Sequence, residues 1–218
     1  MGNEDLKVAV LGATGRTGRE LVSQALRMRM DVTALARVPS KLQDFEGKIS
    51  VVEGDATDAE ATARLVAGKS AVLNAIGRDR NSPPDLMAAA ARNVVAAMKR
   101  YAVMRYVVLG NTAMEDPADR PPLSQRFVRF LIAIANRPLK LDSTASAGVI
   151  AESGLEWTII RPPVLTDGPR TGAYRVGPLD RDSGLRVSRA DVADFMLSCV
   201  VDHRFVRERP AISSSLRK

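Results

Sequence analysis

Short apolar runs of strand length alternate along this chain with longer stretches in which apolar residues recur at helical spacing. The runs are Val8–Leu11, Val32–Ala36, Ile49–Gly54, Ala71–Ile76, Tyr106–Leu109 and Trp157–Ile160. Between them the pattern predicts helices over Arg19–Arg29, from Thr57 through Val66, over Pro84–Tyr101 and over Arg189–Val201. Thr57 is placed to cap the second of these, with Glu60 completing a capping box. Pro121-Pro122 opens a further helical pattern, in which Leu123, Phe127, Phe130, Leu131 and Ile134 share one face until Arg137-Pro138. This alternation predicts an α/β fold with a parallel sheet covered on both faces. Right-handed crossovers give the strand order 3-2-1-4-5-6, a doubly wound sheet that binds ligands at the carboxyl ends of its strands.

The turn after the first run is rich in glycine, Val8-Ala-Val-Leu-Gly-Ala-Thr-Gly-Arg-Thr-Gly18. Gly12 allows a tight exit from the strand, Gly15 lets backbone approach a pyrophosphate, and Gly18 lets helix pack close on strand. The N–H groups of Thr14, Arg16 and Thr17 then stand unpaired at a helix N-terminus, where the dipole favours an anion. Turns and caps also use glycine. The strand before, the helix after and a second strand about twenty residues on mark this turn as a Rossmann-like dinucleotide site.

A site for NAD commonly ends its second strand with Asp or Glu, whose carboxylate holds the ribose 2′-hydroxyl. Here Ala36 and Arg37 stand in that neighbourhood. A carboxylate repels a 2′-phosphate, whereas a guanidinium takes it with paired hydrogen bonds. Arg37, with Ser40, Lys41 and Arg16 to complete a clamp, therefore points to NADP(H) over NAD. The plainer alternative is that Arg37 and Lys41 are solvated surface charges.

The other strand ends supply further candidates. Asp55, beside Ala56, either accepts a hydrogen bond from an adenine amino group or makes a simple turn. Ala75, Ile76 and Gly77 lie along the adenosine and ribose edge, or merely end a strand. Leu109-Gly-Asn-Thr112 ends the fifth strand, where the nicotinamide of a doubly wound dehydrogenase reaches. Asn111 is a candidate contact there, and Thr112 carries the hydroxyl nearest the chemistry unless it only caps a turn.

Composition narrows the remaining classes. The 218 residues suit one compact domain over 1–218, with residues 114–144 and 162–188 as its substrate side and no linker, repeat or low-complexity block. The net charge of +7 raises nucleic acid as a partner. The positive residues are spread, however, and aromatics at 4% are too few for a stacking platform, so no specific nucleic-acid binding is expected. No apolar run approaches a membrane span, and Met1-Gly-Asn-Glu-Asp lacks the order of a signal peptide. The lone Cys199 excludes an internal disulfide and fits a reducing, cytoplasmic setting. With a single His203 it leaves no Cys/His cluster, so no metal site is expected.

Several longer segments carry a family likeness. The glycine turn, Arg37 and Gly-Asp-Ala-Thr-Asp58 are joined by Ala91-Arg-Asn-Val-Val-Ala-Ala-Met-Lys99 and Glu152-Ser-Gly-Leu-Glu-Trp-Thr-Ile-Ile-Arg-Pro-Pro163. Thr171-Gly-Ala-Tyr174 and Arg189-Ala-Asp-Val-Ala-Asp-Phe-Met-Leu197 complete the set. With these the chain resembles the atypical short-chain dehydrogenases/reductases of the NmrA-like group, and among them the NADPH-dependent flavin (biliverdin-IXβ) reductases. The likeness runs from Val8 to about Ser213 and is weakest between Met114 and Gly148.

The resemblance implies a monomeric or weakly self-associating NADPH reductase with a shallow pocket for flat conjugated acceptors such as flavins, quinones or linear tetrapyrroles. It puts Thr112 where those reductases have a serine beside the nicotinamide. It puts Pro162, Pro163 and Val164 in the loop that packs on the nicotinamide ribose and amide. Tyr174 lines the acceptor side, and the helix bearing Phe127 is a wall or lid, unless it is ordinary core or a subunit contact.

Two departures shape the expectation. The Tyr-x-x-x-Lys pair of ordinary short-chain dehydrogenases is absent, since Tyr101, Tyr106 and Tyr174 are followed four on by Arg105, Gly110 and Pro178. Alcohol–ketone chemistry needs that positioned proton donor, while a conjugated acceptor takes its proton from water. The flavin reductases also carry histidines where this chain has Ser143 and Val164, which makes the pocket here less polar. A redox-sensing NADP(H)-binding regulator and a dedicated biosynthetic reductase or isomerase are the rival readings.

Overall fold

The computed structural model describes residues 3–78, 81–112, 114, 116–122 and 137–214. Its main sheet is formed by β1 (Lys7–Leu11), β2 (Asp31–Ala36), β3 (Ser50–Glu53), β4 (Ala71–Asn74), β5 (Arg105–Leu109) and β6 (Glu156–Ile160). All pairs are parallel, and the order is β3-β2-β1-β4-β5-β6, as right-handed crossovers require. Strands buried on both faces need apolar residues at successive positions, and Val8 through Leu11 are each fully buried.

Helices cover both faces. On one, α1 (Arg16–Arg27) packs against α5 (Arg189–Val201) over a core that includes Val10, Leu21, Leu73, Phe195 and Met196. On the other lie α2 (Ala59–Val66), α3 (Leu86–Arg100) and α4 (Arg137–Ala151), over Leu11, Leu65, Val94, Tyr106 and Ile159. No helix among the described residues is long and apolar enough to cross a membrane.

Three expected helix starts move, each with its own capping arrangement. Helix α1 starts at Arg16, not Arg19, because Gly15 in extended conformation is its N-cap and first-turn N–H groups need no helical partner. Asp58, not Thr57, caps α2, its Oδ1 accepting from Glu60 N and Ala61 N at 2.9 and 3.2 Å. Helix α3 starts at Leu86, and Asp142 of α4 caps it by accepting from Met87 N and Ala88 N at 3.0 and 2.9 Å. A helix for which the sequence pattern gives no expectation runs over Arg137–Ala151. The helical pattern of residues 123–136, Phe127 included, lies outside the described residues.

The C-terminal region adds small sheets beside the strand ends. β7 (Val164–Thr166) pairs in parallel with β9 (Arg186–Ser188), and β8 (Tyr174–Gly177) pairs antiparallel with β10 (Ala211–Ser214). Bridges Thr158 to Glu208 and Arg161 to Ala211 dock the last segment on the β6 edge. Beneath it Arg105, 5% exposed, donates to the carbonyls of Glu156, Cys199 and Arg204. Burial pushes the neighbouring Cys199 thiol up to about 12, so it is protonated and inert near neutrality.

Asp191 in α5 holds the 171–174 turn. Its Oδ1 accepts from Thr171 N and Gly172 N at 2.7 and 2.9 Å, and its Oδ2 accepts from the Thr171 and Ser188 hydroxyls. Burial pushes this carboxyl up, yet the hydrogen bonds together outweigh it and hold the group below its usual value of 3.8. A depressed folded value means that the stability is present above the unfolded value and is lost as pH falls through the folded one. Asp191→Asn is therefore expected to cost about 2 kcal/mol at pH 7. The gap to wild type should narrow below about pH 4, which urea unfolding at pH 7 and pH 3 would measure.

Candidate functional site

The carboxyl ends of β1 to β4 open on a cleft of about 340 Å³. Its walls include Gly12, Thr14, Gly15, Ala36, Arg37, Asp55, Ala56, Ala75, Ile76 and Gly77, so residues from four strand ends meet there. Leu35, Gly54, Thr57, Ser82, Pro83 and Leu86 complete the lining and are not among the site candidates read from the sequence. Ser82 and Pro83 belong to the turn before α3. Such turn residues are common, and only the crossover geometry brings this one to the cleft. Asn74 is a further omission: buried in β4, it accepts from Ile76 N through Oδ1 at 2.9 Å and donates to the Tyr106 hydroxyl. That bond shapes the 75–77 edge.

The three glycines of the first turn do different work. A Cβ on Gly12, whose φ is +73°, would lie 2.6 Å from the Ala75 carbonyl carbon, and one on Gly18 would lie 2.0 Å from Gly12 O. The fold itself demands those two. At Gly15 the backbone is ordinary (φ −76°, ψ 164°), and a Cβ would meet only Gly12 O, at 3.2 Å. What glycine provides there is an open backbone facing the cleft at a helix N-terminus that no side chain caps. That is the cradle a pyrophosphate needs, so the residues present fit a dinucleotide.

At the rim, Arg37 extends past the end of β2 with its side chain 74% exposed and its Nε 3.7 Å from Asp55 Oδ2. Asp55 is engaged on its other oxygen, Oδ1, by Thr57 N and the Thr57 hydroxyl, both at 2.8 Å. The Thr57 N–H first, then its hydroxyl and Arg37, hold the Asp55 carboxyl below the usual range against the opposing effect of partial burial. Asp55 thus makes the turn and also lines the cleft. Ser40 and Lys41 are exposed on the 3-10 helix Pro39–Phe45 just beyond Arg37. Arg16 is exposed and paired with Asp167 at 2.9 Å, and Thr17 and Gly18 are buried in the first turn of α1.

The remaining candidates lie at the ends of β5 and β6, outside the lining of that cleft. Gly110 N donates to Ile160 O at 2.8 Å, so Asn111-Thr112 and Pro162–Val164 leave adjacent strand ends. Asn111 and Thr112 are partly buried, and Asn111 Nδ2 donates to Ser143 Oγ of α4 at 2.9 Å. Pro162 is buried, Pro163 partly so, and Val164 is 58% exposed with its N–H donating to Leu185 O. Tyr174, expected on the acceptor side, is turned to α5 instead. Its hydroxyl donates to Asp194 at 2.8 Å and its ring packs on Phe195 at 5.9 Å. Among the described residues no three His, Cys, Asp or Glu side chains gather as for a metal ion.

Residues 12–203 match the family described as NAD(P)H-binding. The chain belongs to that family. This NAD(P)H-binding protein is 27% identical over 179 residues to YwnB, an uncharacterised protein of Bacillus subtilis (strain 168), covering 79% of each chain. Among solved structures it is similar to a short-chain dehydrogenase/reductase from Veillonella parvula DSM 2008 in complex with NADP, with a TM-score of 0.80 and 17% identity over 96% of this chain and 94% of that one. It is also similar to ChuY, an anaerobilin reductase from Escherichia coli O157:H7, with a TM-score of 0.80 and 20% identity over 97% and 98% of the two chains. At such identities the two likenesses show a shared fold alone.

Proposed function

We propose that the protein is an NADPH-dependent reductase that delivers hydride to a flat, conjugated acceptor of the flavin, quinone or tetrapyrrole kind. The nicotinamide supplies the hydride when bound; the chain binds it, orients it and admits the acceptor. Gly15 and the uncapped α1 N-terminus would hold the pyrophosphate. Arg37, backed by Ser40, Lys41 and Arg16, would hold the 2′-phosphate, while Asp55, Ala56 and Ala75–Gly77 would flank the adenosine. Thr112, Asn111 and the 162–164 loop would border the nicotinamide.

The observation that carries the reading is the end of β2: β2 ends in Ala36, where an NAD site commonly keeps a carboxylate, and the exposed Arg37 lines the cleft. The acceptor class is supported by where the tyrosines lie. Tyr106 is fully buried and accepts from Asn74, Tyr174 donates to Asp194, and Tyr101 caps the far end of α3. None is paired with a lysine as a proton donor, which a flavin or quinone does not need. The NADP-bound Veillonella structure and the reductase ChuY agree with this reading in fold.

Mixing the protein with NADPH and FMN and following nicotinamide absorbance, with NADH in parallel, tests it. Oxidation that favours NADPH is the expected result. Tight NADPH binding with no oxidation by FMN, a quinone or a linear tetrapyrrole would favour a redox sensor or a dedicated-substrate enzyme.

A further inference from the structure

One buried ion pair ties together both segments of the nicotinamide side. Arg161, the residue after β6, is fully buried, and its partner Asp119 has a side chain only 7% exposed. The guanidinium forks onto the carboxylate, with Nη1 to Oδ2 at 2.7 Å and Nη2 to Oδ1 at 2.9 Å. Its remaining donors reach backbone: Nη1 donates to Met114 O at 2.9 Å and Nε to Arg209 O at 2.6 Å. Asp119 Oδ1 also accepts from Leu179 N at 2.9 Å. Four separate stretches of chain meet at this pair. Met114 lies two residues beyond Thr112, and Pro162 follows Arg161 directly.

Stability alone is a poor reason for such a pair, since well-packed apolar residues of similar volume often serve a fold as well as a buried ion pair or better. What an apolar side chain cannot do is hold a given carbonyl at a given distance, whereas a planar five-donor fork does. We propose that Arg161 and Asp119 are positioning residues that lock Met114, two residues past Thr112, against the 162–164 loop and so set where an acceptor sits relative to the nicotinamide. The inference rests on the reading above and assigns the pair no contact with cofactor or acceptor. A 1 Å misplacement from such a remote change costs a reaction about 100-fold.

Arg161→Met, which removes the fork but keeps the volume, and Arg161→Lys, which keeps only the charge, test this. The readouts are thermal unfolding, NADPH Kd, single-turnover transfer to FMN, and amide exchange with and without NADP⁺. The expected outcome is folded variants whose Kd stays within about twofold of wild type and whose transfer falls about 10- to 100-fold. NADP⁺ should protect residues 12–18 in every protein but residues 162–166 only in wild type. Should Arg161→Met not fold, Asp119→Asn, which keeps an acceptor for Leu179 N–H, carries the same comparison. Protection of 162–166 in the variants equal to wild type, or none in wild type, overturns the inference, as does transfer that drops only in step with Tm. If wild type reduces no acceptor, the proposed function fails, and the exchange pattern still decides the positioning role.

Discussion

Alanine at Gly18 is expected to leave little folded protein, while alanine at Gly15 gives a folded protein that holds its dinucleotide more weakly. A methyl on Gly18 would enter a backbone oxygen at 2.0 Å and lie 2.7 Å from Ala13 Cα. Main chain on both sides cannot swing away as a side chain does. The cost therefore exceeds the roughly 3 kcal/mol upper range of ordinary overpacking. Against a total stability of about 5–15 kcal/mol, Tm should fall by roughly 10 °C or more, if any cooperative transition survives. At Gly15 the dihedrals already suit an L-residue, and the 3.2 Å contact with Gly12 O asks the main chain to give only a few tenths of an ångström, so Tm should fall far less than for Gly18→Ala. Gly15 lines the cleft, so if its backbone cradles a pyrophosphate the added methyl should lower NADPH affinity about tenfold or more, which is about 1.4 kcal/mol. Calorimetry with and without NADPH reads both effects. Wild-type affinity in a folded Gly15→Ala protein would sink the pyrophosphate assignment.

Arg37→Ala should raise the KM for NADPH and leave that for NADH nearly unchanged. The side chain is 74% exposed and its carboxylate neighbour Asp55 is 3.7 Å away, so the free protein loses little when it is removed. A 2′-phosphate loses a charge-assisted, paired contact worth about 1.5–3 kcal/mol, or roughly 10- to 150-fold in kcat/KM. NADH carries a hydroxyl at that position and forfeits nothing comparable. Steady-state kinetics with both cofactors on one preparation measure the ratio. Equal losses with the two would mean that Arg37 supports the cleft wall and does not read the phosphate.

The first turn and the sheet order were legible in the chain because their causes are local. Glycines at 12, 15 and 18, flanked by an apolar strand and a helix, leave few backbone solutions, and short apolar runs between helices leave one crossover hand. The α2 start is less legible because two capping residues stand side by side, and Asp58, not Thr57, takes the role. Tyr174 was placed on the acceptor side by resemblance, but Asp194 and Phe195, twenty residues on, hold it against α5.

The chain by itself therefore determined the fold class, the dinucleotide turn and the cation that follows β2. Only tertiary structure decided which side chains share a space. Asp142 caps α3 from α4, Asn74 shapes the 75–77 edge with Tyr106 beside it, and Arg161 finds Asp119 across 42 residues. Local patterns are set by sterics and backbone hydrogen bonds within a few residues, which spacing records. Long-range partners are chosen when buried polar groups must satisfy one another after the sheet has closed, and no spacing along the chain encodes that choice.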